Sequence, residues 1–395
     1  MEPTVSFGAM KKTEFRMPPV VHFGPGSLAN LGAEAARFGK MALLVTDTNI
    51  AKAGYVDRAL ASLAEAGVKA AVYDGVAHEP SDTFVDEGLR VYRQAGCEMA
   101  IAVGGGSAID TAKAVAVMVT NEGPITAYMG ANKIPNDPVP IIAAPTTAGT
   151  GSEITRNTII TDTKNDVKML IASVRIIPKV AIVDPLLTQT VPPDYAAATG
   201  VDALTHAIEA YVSKRAQPLT DALALESIRL LGKYLRRAWA NSDDVEAKVQ
   251  TMYAATIAGM AFSNSSVALV HGMARPIGAL FHAPHGVSNA ILLPTVMEYS
   301  LVGAPERFAK IAEAMGTPIE GLSVVEAARL SVEVVRQLCE DVRIPTVAKL
   351  GYDLARFREV IPKMATDALA SGSPNNNPRV PSKEEIVELY EALLN

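Results

Sequence analysis

Short, continuously apolar runs separated by helix-like stretches dominate the first half of this chain and narrow its fold more than any other feature. Met41 to Thr46, Ala70 to Tyr73, Met99 to Val103 and Pro140 to Pro145 are the runs. A strand that is apolar on both faces must be covered on both, which is the mark of a parallel sheet. Between and after them, Val56 to Glu65, Phe84 to Ala95 and Ile109 to Val119 read as helices. Strand, helix, strand in repetition predicts a βαβ nucleotide-binding architecture.

The second half differs in character. From about Pro193 onward strand-like runs are almost absent. Tyr195 to Val212, Pro218 to Trp239, Val245 to Phe262, Pro305 to Met315, Ser323 to Val342 and Lys383 to Leu394 carry helical periodicity. Ser371 to Pro381, rich in Ser, Asn and Pro, reads as a loop. The expectation is an α/β domain over residues 1–192 and an all-helical domain over 193–395, with the change at Thr190 to Pro193. A length of 395 residues suits two or three domains, and 49% hydrophobic residues can fill large cores.

The formal net charge is -6 and no basic run is present, so no nucleic-acid or anionic-membrane partner is expected. No apolar run reaches the roughly 18 to 20 residues that span a bilayer. Met1 to Met10 lacks the basic and apolar regions of a signal peptide, so a cytoplasmic location is expected. Met10 reads either as an internal start or as the junction of an added leader, leaving the origin of residues 1–9 open. Cys97 and Cys339, the only cysteines, have no metal-binding spacing and read as two reduced thiols.

Two loops carry the first chemistry. Gly104-Gly105-Gly106-Ser107-Ala108-Ile109-Asp110-Thr111-Ala112-Lys113 follows a buried strand and opens a helix. Glycines there let backbone approach a pyrophosphate, and a helix N-terminus offers free N–H groups. The spacing is not G-x-G-x-x-G, so a plain strand-to-helix turn is the competing reading. Pro145-Thr146-Thr147-Ala148-Gly149-Thr150-Gly151-Ser152-Glu153 is a second loop after a strand, suited to phosphate, ribose or amide recognition. Its alternative is a Thr/Gly loop that caps a helix at Ser152. Asp47, at the end of a strand, can accept from ribose hydroxyls and repel a 2′-phosphate, or simply cap the next segment.

The third signal is a metal pattern. Asp202 and His206 stand four apart in a helical stretch, so both leave one face. His271, His282 and His285 follow, so that four of six histidines lie between 206 and 285. Imidazoles with one carboxylate suit Fe(II), Zn(II) and similar ions. Pro284 reads as the first residue of a helix that would hold His285 at its start.

Taken together these motifs resemble the iron-containing, or group III, alcohol dehydrogenases, from about Phe15 to Leu394. The family's Gly-Gly-Gly-Ser-x-x-Asp-x-x-Lys stands as Gly104 to Lys113, and its Pro-Thr-Thr-x-Gly-Thr-Gly-Ser-Glu as Pro145 to Glu153. Its Ala-Thr-Gly-x-Asp-Ala-Leu-x-His-Ala-x-Glu-Ala-Tyr stands as Ala198 to Tyr211, and its Pro-His-Gly as Pro284 to Gly286, followed by Asn289 to Pro294. The resemblance implies a dehydroquinate synthase-like fold with a cleft between two domains. It implies metal ligands Asp202, His206, His271 and His285, and cofactor contacts Asp47, Gly104, Gly105, Gly106, Ser107, Asp110, Thr146, Thr147, Thr150, Asn157, Lys168 and Leu187. Phe262 would line the substrate pocket. The implied activity is hydride transfer between NAD(H) and a small primary alcohol or diol, with Fe(II) or another divalent ion as Lewis acid. A homo-oligomer, dimer or larger, is implied as well.

There are departures. Members often carry His four residues beyond the third ligand, as a proton relay; here that position is Arg275, whose guanidinium is a poor acid or base. His282 is the alternative relay. Members often have Asn-Pro where this chain has Glu79-Pro80. Rival readings are a zinc polyol dehydrogenase, synthase or lyase on the same scaffold, a hydroxyacid–oxoacid transhydrogenase, and a nucleotide-binding protein without turnover.

Overall fold

The computed structural model describes residues 13–165 and 167–394, so the leader question over residues 1–9 lies outside the described residues. The strands are β1 Val20–Phe23, β2 Met41–Val45, β3 Lys69–Tyr73, β4 Met99–Gly104, β5 Gly130–Ala131, β6 Ile141–Pro145, β7 Asn157–Asp162, β8 Val167–Ala172 and β9 Val180–Val183. Six form one sheet in the order β1-β9-β6-β4-β2-β3, with every pairing parallel. The four runs read from sequence are β2, β3, β4 and β6. Leu43, Leu44, Ile101, Ala102, Ile142 and Ala143 are fully buried, as a sheet covered on both faces requires. Covering helices are α1 Leu31–Ala35, α2 Thr48–Lys52, α3 Tyr55–Glu65, α4 Asp82–Ala95 and α5 Gly106–Thr120.

Register aligns the strand ends that matter. Val45 pairs with Ala102, and Gly104 pairs with Pro145. The carboxyl ends of β2, β4 and β6 therefore deliver Asp47, the glycine loop and the Thr146 loop to one edge of the sheet, where ligands of such sheets bind.

The smaller sheet, β5-β8-β7, was not expected, and its β7–β8 pair is antiparallel. Its residues alternate buried and half-buried rather than running apolar throughout, because only one face packs. It also corrects the reading of Ser152 as a helix cap. The chain after Ser152 turns directly into β7. Ser152 Oγ donates instead to the Asp110 carboxylate, and buried Lys113 Nζ reaches Ser152 Oγ at 3.4 Å, Thr155 O at 3.0 Å and Asn157 O at 2.8 Å.

From Pro193 on, every strand or helix among the described residues is helical: α6 Pro193–Val212, α7 Pro218–Ala240, α8 Val245–Asn264, α9 Leu269–Phe281, α10 His285–Ser300, α11 Pro305–Ala314, α12 Val324–Asp341, α13 Leu354–Ala370 and α14 Lys383–Ala392. Three of these went unassigned from sequence beyond the start at Pro284, and each holds an interior proline: Pro276 in α9, Pro294 in α10 and Pro362 in α13. Proline removes a backbone donor and weakens the helical signal, but packing on neighbours overrides it here. Pro284 proves to be the cap residue, with His285 the first helical one. The expected loop 371–381 contains a short 3-10 turn, Ser373–Asn376.

The Thr146 loop rests on the helices. Gly151 has φ +61°, and a Cβ added to Gly259 of α8 would stand 3.0 Å from the Gly151 Cα, so two backbones touch there. Cys97 and Cys339 are both buried and unpaired. No single helix among the described residues is long and apolar enough to cross a membrane; α8 and α9 pass that test only as a pair bent by 102°.

Candidate metal and dinucleotide site

Helix α6 is buried from Val201 through Val212, and it carries Asp202 and His206 on one face. His271 sits in the first turn of α9 and His285 opens α10. A Cβ on Gly286 would lie 2.7 Å from Ala198 O, so glycine lets the start of α10 abut α6. Asp202, His206, His271 and His285 each offer a ligand atom, and all four atoms lie within 4.8 Å of one another.

The finer geometry tests whether a cation fits. Asp202 Oδ1 stands 3.8 Å from His271 Nε2 and 3.9 Å from His285 Nε2. Two ligands about 2.1 Å from one tetrahedral ion are roughly 3.4 Å apart. These two pairs come within about half an ångström of that spacing. Asn289 Nδ2 lies at the convergence: 2.6 Å from Asp202 Oδ1, 3.1 Å from His271 Nε2 and 3.2 Å from His285 Nε2. An amide nitrogen has two hydrogens for these three acceptors. A divalent cation satisfies all of them at once.

Protonation states agree. Burial opposes charge on Asp202, yet the imidazoles of His206, His285 and His271 and the Asn289 amide together hold its pKa below the ordinary value. Burial also pulls His206 and His271 downward, toward the neutral form that binds metal. His271 Nδ1 is 2.6 Å from Glu209 Oε2, while Glu209 Oε1 accepts from Val270 N at 2.6 Å. A proton on Nδ1 leaves the Nε2 lone pair facing Asp202. Burial pushes the Glu209 pKa up to about 7, against the backbone N–H groups of Ala268, Val270 and His271. The Phe262 ring stacks on His206 with centroids 4.2 Å apart.

Asp47 takes up the capping role that its place at the end of a strand allowed. Oδ1 caps α2, accepting from Asn49 N at 2.9 Å and Ile50 N at 3.1 Å. Oδ2 lies 3.9 Å from where a Cβ on Gly104 would stand, so it faces the glycine loop. Gly105 caps α5, and Gly106 and Ser107 begin it. A Cβ on Gly106 would meet Thr150 Cγ2 at 2.9 Å, and one on Gly105 would meet Thr147 at 3.6 Å, so the two loops share one surface. Thr146 Oγ1 is buried and has no protein partner. An orphaned buried hydroxyl beside glycine backbone suits a polar ligand.

The Asp110 carboxylate accepts from Ser152 Oγ and, at 2.8 Å, from Ile159 N, which ties α5 to the small sheet. Asn157 opens β7, and Leu187 is fully buried in the 3-10 turn Pro185–Thr188. Lys168 Nζ lies 3.2 Å from Glu79 Oε2, so the residue that departs from the family pattern pairs with an expected cofactor contact. His282 is exposed, ends α9 with φ 52°, and stands outside the ligand group. Arg275 is half-buried and donates from Nη1 to Ser373 Oγ at 3.0 Å.

Sequence reasoning gave no role to Glu209, Asn289 or Lys113. The spacing held a signal for two of them. Glu209 follows His206 by three and Asn289 follows His285 by four, so each shares a helix face with a ligand.

Comparison with known proteins agrees with this geometry. A family profile described as iron-containing alcohol dehydrogenase matches residues 18–185, and one described as the Fe-containing alcohol dehydrogenase family, C-terminal, matches 196–394. The chain is 44% identical over 381 residues to a 1,3-propanediol dehydrogenase of Citrobacter freundii, covering 95% of this chain and 97% of that protein. It is 38% identical over 384 residues to an NAD-dependent methanol dehydrogenase of Bacillus methanolicus, covering 97% and 100%. A crystal structure of a 1,3-propanediol oxidoreductase superposes with TM-score 0.94 at 42% identity, covering 97% of this chain and all of that one.

Proposed function

The chain belongs to the iron-containing alcohol dehydrogenase family, and from that premise we propose that Asp202, His206, His271 and His285 hold one divalent metal beside a bound NAD(H). The activity is that of a metal-dependent alcohol dehydrogenase or aldehyde reductase acting on a small primary alcohol or diol. The observation that carries this is the convergence of three lone pairs on the single Asn289 amide. Iron is the family's metal; zinc has the same ligand preferences, so the residues alone favour neither.

When bound, the metal supplies Lewis acidity to the substrate oxygen and the nicotinamide supplies or takes the hydride. The chain's residues do the positioning. Glu209 fixes the His271 tautomer. Phe262 covers His206 and keeps an apolar wall beside the cluster. Gly104, Gly105, Gly106, Ser107, Thr146, Thr147 and Thr150 would offer backbone and hydroxyls to the dinucleotide phosphates, and Asp47 would offer its carboxylate to the ribose. Asp110, Asn157, Lys168 and Leu187 shape the same surface. Residues 1–192 would then be the dinucleotide-binding domain and 193–395 the metal-binding domain. A homo-oligomer and a cytoplasmic location stay part of this proposal, as does the lack of nucleic-acid or membrane partners, which the acidic net charge of -6 supports. His282, exposed at the end of α9, is retained as a proton relay through water.

Metal quantification together with alcohol-dependent formation of reduced nicotinamide tests the reading. His271→Ala should lose bound metal and turnover together. Full turnover in a metal-free His271→Ala protein refutes the site.

A further inference from the structure

Arg275 stands one turn beyond His271 on the same face of α9. Its single hydrogen bond among the described residues is the one from Nη1 to Ser373 Oγ at 3.0 Å, and no ion pair engages it. A guanidinium carries five N–H donors, so most of its capacity is unspent. Burial pulls its pKa downward, with Glu209 opposing. Yet the Glu209 oxygens are committed to Val270 N, His271 N and His271 Nδ1. The neighbouring cation, Lys168, already has Glu79.

The partner hydroxyl is held firmly. Ser373 is 7% exposed, and the next residue, Pro374, sits where a Cβ on Gly272 would come within 2.9 Å of its ring. The turn that presents Ser373 is thus locked onto α9. A half-buried guanidinium with one hydrogen bond and no direct ion pair leaves donors free, and an incoming anion can take them up. Arginine is also unsuited to proton relay, so its place beside the cluster calls for a binding role.

We propose that the substrate of this site carries a carboxylate, held by the Arg275 guanidinium and the Ser373 hydroxyl, a few carbons away from the alcohol or aldehyde group. The substrate class is a short hydroxy acid and its semialdehyde. This rests on the reading of Asp202, His206, His271 and His285 as the reacting centre.

The test uses the metal-loaded full chain with NADH and two aldehydes of equal length, butanal and 4-oxobutanoate. The parent should prefer 4-oxobutanoate in kcat/KM by about tenfold or more, the usual range for a charge-assisted hydrogen bond. Arg275→Gln should cut that ratio by the same factor, through KM for 4-oxobutanoate, and Arg275→Lys should restore part of it. Equal losses on both aldehydes, or no preference in the parent, overturn the proposal. Binding of butanoate to the enzyme–NAD complex, read by calorimetry, needs no turnover. If neither aldehyde is reduced, the dehydrogenase reading fails, and butanoate binding still decides: loss in Arg275→Gln supports the anion site, and equal binding in parent and variant overturns it.

Discussion

Asp47→Ser separates the cap on α2 from the proposed contact to ribose. Oδ1 caps α2 through Asn49 N and Ile50 N, while Oδ2 faces Gly104. Serine keeps an oxygen able to cap and removes the charge. If the 2′-position of a bound dinucleotide lies against Oδ2, a 2′-phosphate there meets a carboxylate. Two unit charges 4 Å apart repel by about 1 kcal/mol in bulk water and about 4 kcal/mol near a protein surface. Asp47 is partly exposed, so roughly 1 to 3 kcal/mol is the expected range, about a fivefold to 150-fold change in the NADP:NAD ratio of kcat/KM. The shift should shrink as salt is raised. Tm should hold for Asp47→Ser, whereas Asp47→Ala, which loses the cap as well, gives up about 1 kcal/mol. The assay is steady-state kinetics with both cofactors at two ionic strengths, beside thermal melts. A cofactor ratio that moves less than threefold in Asp47→Ser, with Asp47→Ala merely less stable, refutes the ribose role and leaves a cap.

Other perturbations reach different layers of the site. Glu209→Gln turns an amide N–H toward His271 Nδ1, which drives the ring proton to Nε2; metal affinity should weaken about 10- to 100-fold, and an unchanged chelator-competition curve counts against it. Gly259→Ala gains about 1 kcal/mol of helix propensity but sets a methyl 3.0 Å from the Gly151 Cα and 3.2 Å from its carbonyl oxygen. Backbone cannot step aside as a side chain can, and overpacking of about 1 to 3 kcal/mol wins. A lower Tm and a raised KM for NAD are expected, and a stabilised variant contradicts the contact. Glu153 is buried, and burial pushes its pKa from 4.5 up to about 7. The folded state therefore holds this proton more tightly than the unfolded chain does. The stability it contributes is full below about pH 4.5 and is lost as pH rises through 7, on a scale of roughly 3 kcal/mol. Glu153→Gln should flatten that part of the stability profile between pH 5 and 8, and parallel melting profiles for parent and variant disprove it.

The sheet was legible because four of its strands are apolar on both faces, and the Asp202–His206 pair was legible because the two share a helix face. Other parts were hidden for identifiable reasons. Edge strand β1 is only half-buried and β9 has four residues, so neither makes a long apolar run. Helices α9, α10 and α13 each carry a proline whose local penalty hides them, although their buried faces hold them in place. The alternative of a helix cap at Ser152 stood open because a hydroxyl after a Thr/Gly loop suits a helix cap as well as a bond to Asp110. Only the packed structure supplies Asp110 and Lys113 as its partners.

The same argument locates what a sequence cannot express about the site. The pairing of Asp202 with His206 follows from spacing along α6, but the direction of lone pairs follows from where α9 and α10 stand against it. Gly286 against Ala198 O sets one of those approaches, and Glu209 bonded to both backbone and ring of His271 sets the other. With both in place, Asp202 Oδ1, His271 Nε2 and His285 Nε2 point at one spot, and the Asn289 amide beside them can serve only two. A protein that merely stored histidines in its core would match donors to acceptors. This one keeps an acceptor in excess and leaves Asn289 Oδ1 without a partner. The surplus of lone pairs, rather than the count of histidines, is what makes the cluster a cation site.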